Sequence, residues 1–210
     1  MNSRGAEEGS QPVVQVKKEE VRSAILEASH KLFQEKGYSN TSVSEIGRGA
    51  GVSPSNLYVY FGSKLDILFA LYDPWLKARL LALESELLTI RDSEEQLRTI
   101  FRTLWRDIPA EDNGFANNMM QALSTGSMEE GYSRELLLWA EDRVSAMIRA
   151  CLPPERAAVA ERSLLAHIAF MAFDGFAMNH KLRGPSRRID DIIELTVALV
   201  LGRPLPGKPA

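Results

Sequence analysis

Apolar positions along this chain recur at intervals of three and four, and no stretch alternates with the period of two that a half-buried strand needs. The pattern predicts an all-α protein of about nine helices. The first runs from Lys17 to Lys36, with Val21, Ile25, Ala28 and Leu32 on its inner face and Gly37 as its stop. Two short helices follow, one beginning after Ser42 and carrying Val43, Ile46 and Ala50, the other beginning after Ser53 with Leu57 and Phe61 turned inward. A long helix is predicted from Ser63 to about Ile90, kinked or broken near Asp73 because Pro74 cannot donate to the helical ladder. Beyond it the pattern gives helices over Ser93–Ile108, stopped by Pro109, and Phe115–Leu123. A further one runs from Gly131 or Ser133 to Leu152, stopped by Pro153-Pro154. The last two cover Pro154 to about Gly184 and Ser186 to Leu201.

The segment Ser42–Lys64 (SVSEIGRGAGVSPSNLYVYFGSK) is the densest in local signals. Ser42 with Glu45 three residues later forms a capping box. Gly51 suits the left-handed residue that closes a helix. Ser53 can cap the next helix, and Pro54 fits its first turn, where a missing N–H is no loss. Ser63 with Asp66 opens another helix. Two short helices at a tight Gly-containing angle define a helix-turn-helix, and the face left outside carries side chains suited to DNA. Asn56 can bond adenine at two points, and Ser, Tyr and Lys side chains can bond phosphates.

The same residues carry a resemblance. Ile25–Phe33 (ILEASHKLF), Gly37-Tyr38, Thr41-Ser42-Val43, Glu45-Ile46, Ala50-Gly51-Val52-Ser53, Leu57-Tyr58, Tyr60-Phe61 and Ser63-Lys64 are similar to the TetR family of transcriptional regulators, without gaps over roughly residues 21–68. The resemblance implies a DNA-binding regulator, most often a repressor, that binds a palindromic operator as a homodimer and is released by a small ligand. It implies DNA contacts from Ser42 and Ser44, from Pro54, Ser55 and Asn56 at the start of the recognition helix, from Tyr58 and Tyr60, and from Lys64, expected to grip phosphate. Two departures stand out. Gly47 replaces the family's usual Ala and is expected to soften its helix by up to about 1 kcal/mol. No Arg or Lys lies on the recognition helix, so direct reading of guanine gives way to shape and water.

The chain is expected to divide into a polar, disordered arm (1–16), a helix-turn-helix DNA-binding domain (17–65), a helical effector-binding and dimerisation domain (66–203) and a frayed tail (204–210). In the body, Leu164, Ile168, Met171, Gly175, Met178 and Leu182 form a stripe that needs a partner helix. Ile189, Ile193, Thr196 and Val200 form a second stripe, and Ile192, Leu195 and Leu199 a third on the same helix. Such stripes can be core within one subunit. Their terminal position and the resemblance favour a dimer interface formed by Leu164, Ile168, Met171, Gly175, Met178, Ile189, Ile193, Thr196 and Val200. Phe101, Trp105, Phe115, Met119, Trp139, Met147, Phe170 and Phe173 concentrate large, adaptable side chains. Within such a family they suit a pocket for an apolar or aromatic effector, although each alone also suits a core. The alternative is a DNA-binding dimer whose body takes a protein partner.

Composition narrows the field further. The apolar fraction is 45% over 210 residues, ordinary for a globular protein. No run of 18 apolar residues suggests a membrane span, and a single Cys151 rules out an internal disulfide. With no signal-peptide pattern at the N-terminus, a cytoplasmic location is expected. The net charge is −3, yet residues 16–64 hold seven Lys/Arg against five Asp/Glu, a local +2. A mildly positive head fits modest nonspecific DNA affinity. No phosphate loop, His-Glu-x-x-His or nucleophile elbow is present, so no enzymatic activity and no cofactor are expected. His167 and His180 lie 13 apart, which is not a metal-pair spacing, so no metal is expected.

Overall fold

The computed structural model of the protein describes residues 11–111, 114–125 and 134–204. Within them are ten α-helices and no strand. They form two compact units. The first comprises the residues up to Leu71 together with the segment starting at Gln121. The second holds Tyr72–Met120 and the rest of the C-terminal half. The division falls inside two helices rather than in a loop, and lies six residues beyond the expected boundary at residue 65.

In the first unit, α1 (Gln11–Lys36) starts six residues before the predicted Lys17, so residues 11–16 are helical rather than part of an arm. Pro12 lies in its first turn, where a missing N–H costs nothing. The expected arm at 1–10 and the tail from 205 lie outside the described residues. Ile25, Ser29 and Phe33 are the buried positions of α1, while Val21, Ala28 and Leu32 are half-buried. Ser29 can be buried because its hydroxyl donates to the Ile25 carbonyl at 2.7 Å. Gly37, at φ +78°, ends the helix. Next come α2 (Val43–Gly49), α3 (Pro54–Tyr60) and α4 (Lys64–Leu87). Leu57 and Ile46 are fully buried, and Phe61 is nearly so, beneath the Arg22 guanidinium at 5.2 Å.

Pro74 does not break α4, which continues through it to Leu87. The ladder lacks one donor there, but apolar residues of the helix are buried both before it (Leu68, Tyr72) and after it (Leu76, Leu80).

In the second unit, α5 (Ser93–Arg102) is capped by Asp92, whose carboxylate accepts the Glu95 N–H at 2.9 Å. The predicted helix to Ile108 instead changes character. A wide π-helical turn covers Thr103–Asp107, and α6 (Ile108–Glu111) continues through Pro109. Pro109 cannot extend an ordinary ladder, but it fits the first turn of a new helical segment. Then follow α7 (Phe115–Thr125), α8 (Glu135–Cys151), α9 (Leu164–Arg183) and α10 (Ile189–Leu201). The proposed start of α8 at 131 or 133 lies outside the described residues. The predicted single helix from Pro154 to Gly184 is really two pieces. Pro154–Ser163 is a 3₁₀ helix, and Ser163 at φ 55° marks the junction with α9.

The core of this unit is built on α5, the π turn and α9. Leu97, Ile100, Phe101 and Leu104 are inaccessible to solvent. Trp105 donates its indole N–H to the Ala169 carbonyl at 2.9 Å and packs between Phe101 and Phe176, at ring separations of 4.8 and 5.6 Å. α10 crosses α5, tied by Arg98 to Glu194 at 2.8 Å. Its C-terminal carbonyls at Leu199 and Val200 accept from the Arg156 guanidinium at 2.8 and 2.9 Å.

Candidate nucleic-acid interface

The first unit is organised to hold α3 outward. The capping box on α2 is complete: Glu45 N–H donates to the Ser42 hydroxyl at 3.2 Å, and Ser42 N–H donates to the Glu45 carboxylate at 2.9 Å. Lys36 bonds the same carboxylate at 2.6 Å. That bond, followed by those from Ser42, holds the Glu45 carboxyl at about 2, well below the usual range. Gly51 takes φ +70° at the turn, and the Val52 N–H donates to the Gly47 carbonyl at 2.8 Å. A Cβ on Gly47 would lie 2.8 Å from the Val52 carbonyl oxygen. Gly47 therefore does more than soften α2: it lets the turn fold back against it. Ser53 caps α3 by accepting the Asn56 N–H at 3.2 Å, with Pro54 in the first turn.

With Leu57 inward, the rest of α3 faces out. Pro54, Ser55 and Asn56 are exposed, as are Ser42 and Ser44 on α2. Tyr58 is 53% and Val59 is 74% accessible, while Tyr60 is half-buried. These positions lie on two neighbouring helices joined by one tight turn, so the structure brings together seven of the eight residues expected at DNA.

The eighth, Lys64, is placed differently. Its ammonium donates to the Tyr38 and Thr41 carbonyls, both at 2.8 Å, and lies 4.0 Å from the Tyr38 ring centroid. Burial lowers its pKa from the ordinary lysine value. This lysine staples the start of α4 to the α1–α2 loop rather than reaching out to phosphate. Nothing in its local sequence reveals this, because its partners lie 23 and 26 residues earlier. The loop has a second hold. The Ser39 N–H donates to the Gln121 side chain at 3.0 Å, and Gly37, lacking a Cβ, leaves room for that side chain.

The expected effector residues do not form one lining. Phe101, Trp105, Phe170 and Phe173 are buried in the packed core of α5 and α9. Phe115 packs on Tyr72 and Trp75, at 5.8 and 5.4 Å. Met119 is half-buried on α7. Trp139 is half-buried between Lys77 and Arg143, whose cationic groups are 5.5 and 5.4 Å from its ring. A cavity of about 280 Å³ is lined by Glu84, Leu87, Leu88, Gln96, Ala146, Met147, Ala150 and Cys151, and only Met147 belongs to the expected set. Cys151 and Gln96 were legible in the sequence only as isolated residues. In the structure, the thiol points at the Met147 carbonyl and the Gln96 side chain, and burial pushes it up to about 11.

The expected dimer residues divide cleanly. On α9, Leu164, Ile168 and Met171 are exposed, Gly175 has open space where a Cβ would stand, and Met178 is half-buried. On α10, Ile189, Ile193 and Val200 are buried within the subunit, so they are core rather than available surface. Thr196 is half-buried, with its hydroxyl on the Ile192 carbonyl. The outward stripe of α10 is instead Leu195 and Leu199, beside half-buried Ile192. The two stripes are equally apolar, and the packing of α10 on α5 and on the 3₁₀ segment decides between them. His167 pairs with the buried Glu141 at 2.5 Å. Among the described residues no His, Cys, Asp or Glu cluster could hold a metal, and no helix is long and apolar enough to cross a membrane.

A capped helix-turn-helix head with an outward polar face, in a chain whose other regular elements among the described residues are all helical, has the architecture of a helix-turn-helix DNA-binding regulator. Residues 25–71 match the family model described as "Bacterial regulatory proteins, tetR family". The chain is 51% identical over 51 residues to the HTH-type transcriptional regulator HbdR of Aromatoleum sp. (strain CIB), a match covering 24% of this chain and 22% of that protein. It thus spans under a quarter of that relative's length. Among solved structures, the TetR family regulator PfmR of Thermus thermophilus is 27% identical, with a TM-score of 0.56 over 85% of this chain and 97% of that one. The regulator FadR of Bacillus subtilis, solved with stearoyl-CoA, shares the fold at 16% identity, a TM-score of 0.56, and coverage of 85% and 97%. The head, residues 25–71, thus carries the family's matched region, and the relatives and fold neighbours named here are themselves transcriptional regulators.

Proposed function

We propose that the protein is a homodimeric one-component repressor that binds a palindromic operator and leaves it when a small apolar or aromatic ligand enters the body. The observation that carries this reading is the outward face of α3, anchored from behind by Leu57 and Phe61 and framed by Ser42 and Ser44. Pro54, Ser55 and Asn56 would enter the major groove, and Tyr58 and Tyr60 would reach the backbone on either side. Dimerisation is supported by the exposed stripe Leu164–Ile168–Met171 with the open Gly175, extended by Leu195 and Leu199. Two heads would then meet half-sites about 34–36 Å apart or a multiple of that.

Release follows if the ligand binds one of two states better than the other. Residues of both compact units lie on α4, so a change at one end of that helix has a covalent path to the other. An apolar effector is in keeping with the stearoyl-CoA bound by the FadR fold neighbour, so acyl-CoAs belong in the first screen beside free aromatic acids.

Selection of bound duplexes from a random pool tests the reading directly. The purified protein should enrich a palindrome, and Asn56→Ala with Tyr60→Ala should abolish that enrichment. Recovery of no consensus would overturn it. Ile168→Lys should shift sedimentation from dimer to monomer, and saturable thermal stabilisation by a ligand that also releases DNA would identify the effector.

A further inference from the structure

Val59 is the most exposed apolar residue of the recognition helix, at 74%. It stands two positions from Leu57, which at 3.6 residues per turn places it about 160° around the helix, nearly opposite the buried side. Ser55 and Asn56, four and three residues before it, share its face, and both are exposed. Val59 therefore sits at the centre of the outward surface, flanked by groups that can hydrogen-bond.

The residue type is informative here. A β-branched side chain is a poor choice for a solvent-facing position on a seven-residue helix, because it gives up rotamer freedom and packs on nothing. An isopropyl group can offer a base edge only apolar contact. In the major groove the apolar group that distinguishes one base pair from the others is the 5-methyl of thymine. The helix carries no Arg or Lys with which to read guanine.

We infer that Val59 is a specificity-determining residue that packs against one thymine 5-methyl group in each half-site. Asn56 on the same face would read an adenine nearby, so the centre of each half-site is A·T. This inference rests on the reading of α3 as the recognition helix.

The test uses the full-length protein and the operator enriched by selection, resynthesised with deoxyuridine in place of one thymine at a time. That change deletes a single methyl group and leaves every hydrogen bond in place. Fluorescence anisotropy should show one thymine per half-site whose methyl, when removed, weakens wild-type binding roughly three- to tenfold. Val59→Ala should weaken the unmodified operator by a similar factor and lose its response to deoxyuridine at that position. Its thermal stability should not fall, since Ala is the better helix former. An operator indifferent to deoxyuridine at every thymine would overturn the inference, as would Val59→Ala remaining as sensitive as wild type; in either case α3 would still be the recognition helix. Failure to enrich any sequence would instead remove the reading of α3, and this inference with it.

Discussion

The Lys64 ammonium donates to the backbone carbonyl of Tyr38 at 2.8 Å while lying 4.0 Å from the centroid of the same residue's ring. One side chain thus holds another from two directions. Lys64→Met should destabilise the first unit by roughly 1–3 kcal/mol, the range for a charged hydrogen bond with a partly desolvated cation–π contact. It should weaken DNA binding only indirectly. A lysine on phosphate contributes about one unit to the slope of log affinity against log salt. The expected outcome for Lys64→Met is lower affinity with that slope unchanged, measured by operator titrations at several salt concentrations. A slope reduced by about one would show that Lys64 leaves its staple to reach phosphate.

Gly47→Ala should destabilise the protein. Helix propensity alone argues the opposite, with a gain approaching 1 kcal/mol. The close approach of the Val52 carbonyl, 2.8 Å from where the Cβ would stand, decides the sign. That neighbour is backbone and belongs to the turn, so relief requires moving α3 relative to α2. A cost of about 1–3 kcal/mol, typical of overpacking, should appear in thermal melts together with loss of operator affinity.

Glu45 makes a pH prediction. Its carboxyl is lowered from 4.5 to about 2 in the folded state. A lowered folded value means that its stabilising effect is present above the unfolded value of 4.5 and is lost as pH falls through about 2. Glu45→Gln should therefore melt below wild type at neutral pH, and the difference should close as the pH drops across that window. Parallel melting curves at every pH would refute the role of the capping carboxylate.

Cys151 should be inert in the native protein. Its thiol is raised from 9.0 to about 11 by burial, so at neutral pH its thiolate population falls by about 100-fold. Reaction with a thiol reagent should be slow in buffer and fast in denaturant, giving a direct readout of unfolding of the second unit.

The head was legible because its signals are local. Ser42 with Glu45, Ser53 with Pro54, and Gly51 each act within four residues, and the structure shows each cap as its spacing implies. The α9 stripe was legible because it is periodic, but a second apolar face on the same helix (Ala166, Ala169, Phe170, Phe173 and Ala177) is the buried one. What escaped the sequence depends on distant partners. Lys64 turns inward because of Tyr38 and Thr41, and Gln121 meets Ser39 across 82 residues. On α10, two apolar stripes of equal strength could each have been core. The π turn before Pro109 and the 3₁₀ stretch after Pro154 are backbone compromises that a 3.6-residue period does not reveal.

The bond from Arg156 to the end of α10 bears on how the chain is made. The helix emerges from the ribosome well after the α5 that it covers, and the Arg156 guanidinium waits for carbonyls synthesised 43 and 44 residues after it. Until those thirteen residues arrive, the face of α5 that they cover stays open in the nascent chain. A message truncated before Ile189 would leave that face open for good, and its product should be cleared or precipitate rather than persist as a smaller regulator. Closure of the α5 face thus waits on a helix made roughly ninety residues after it.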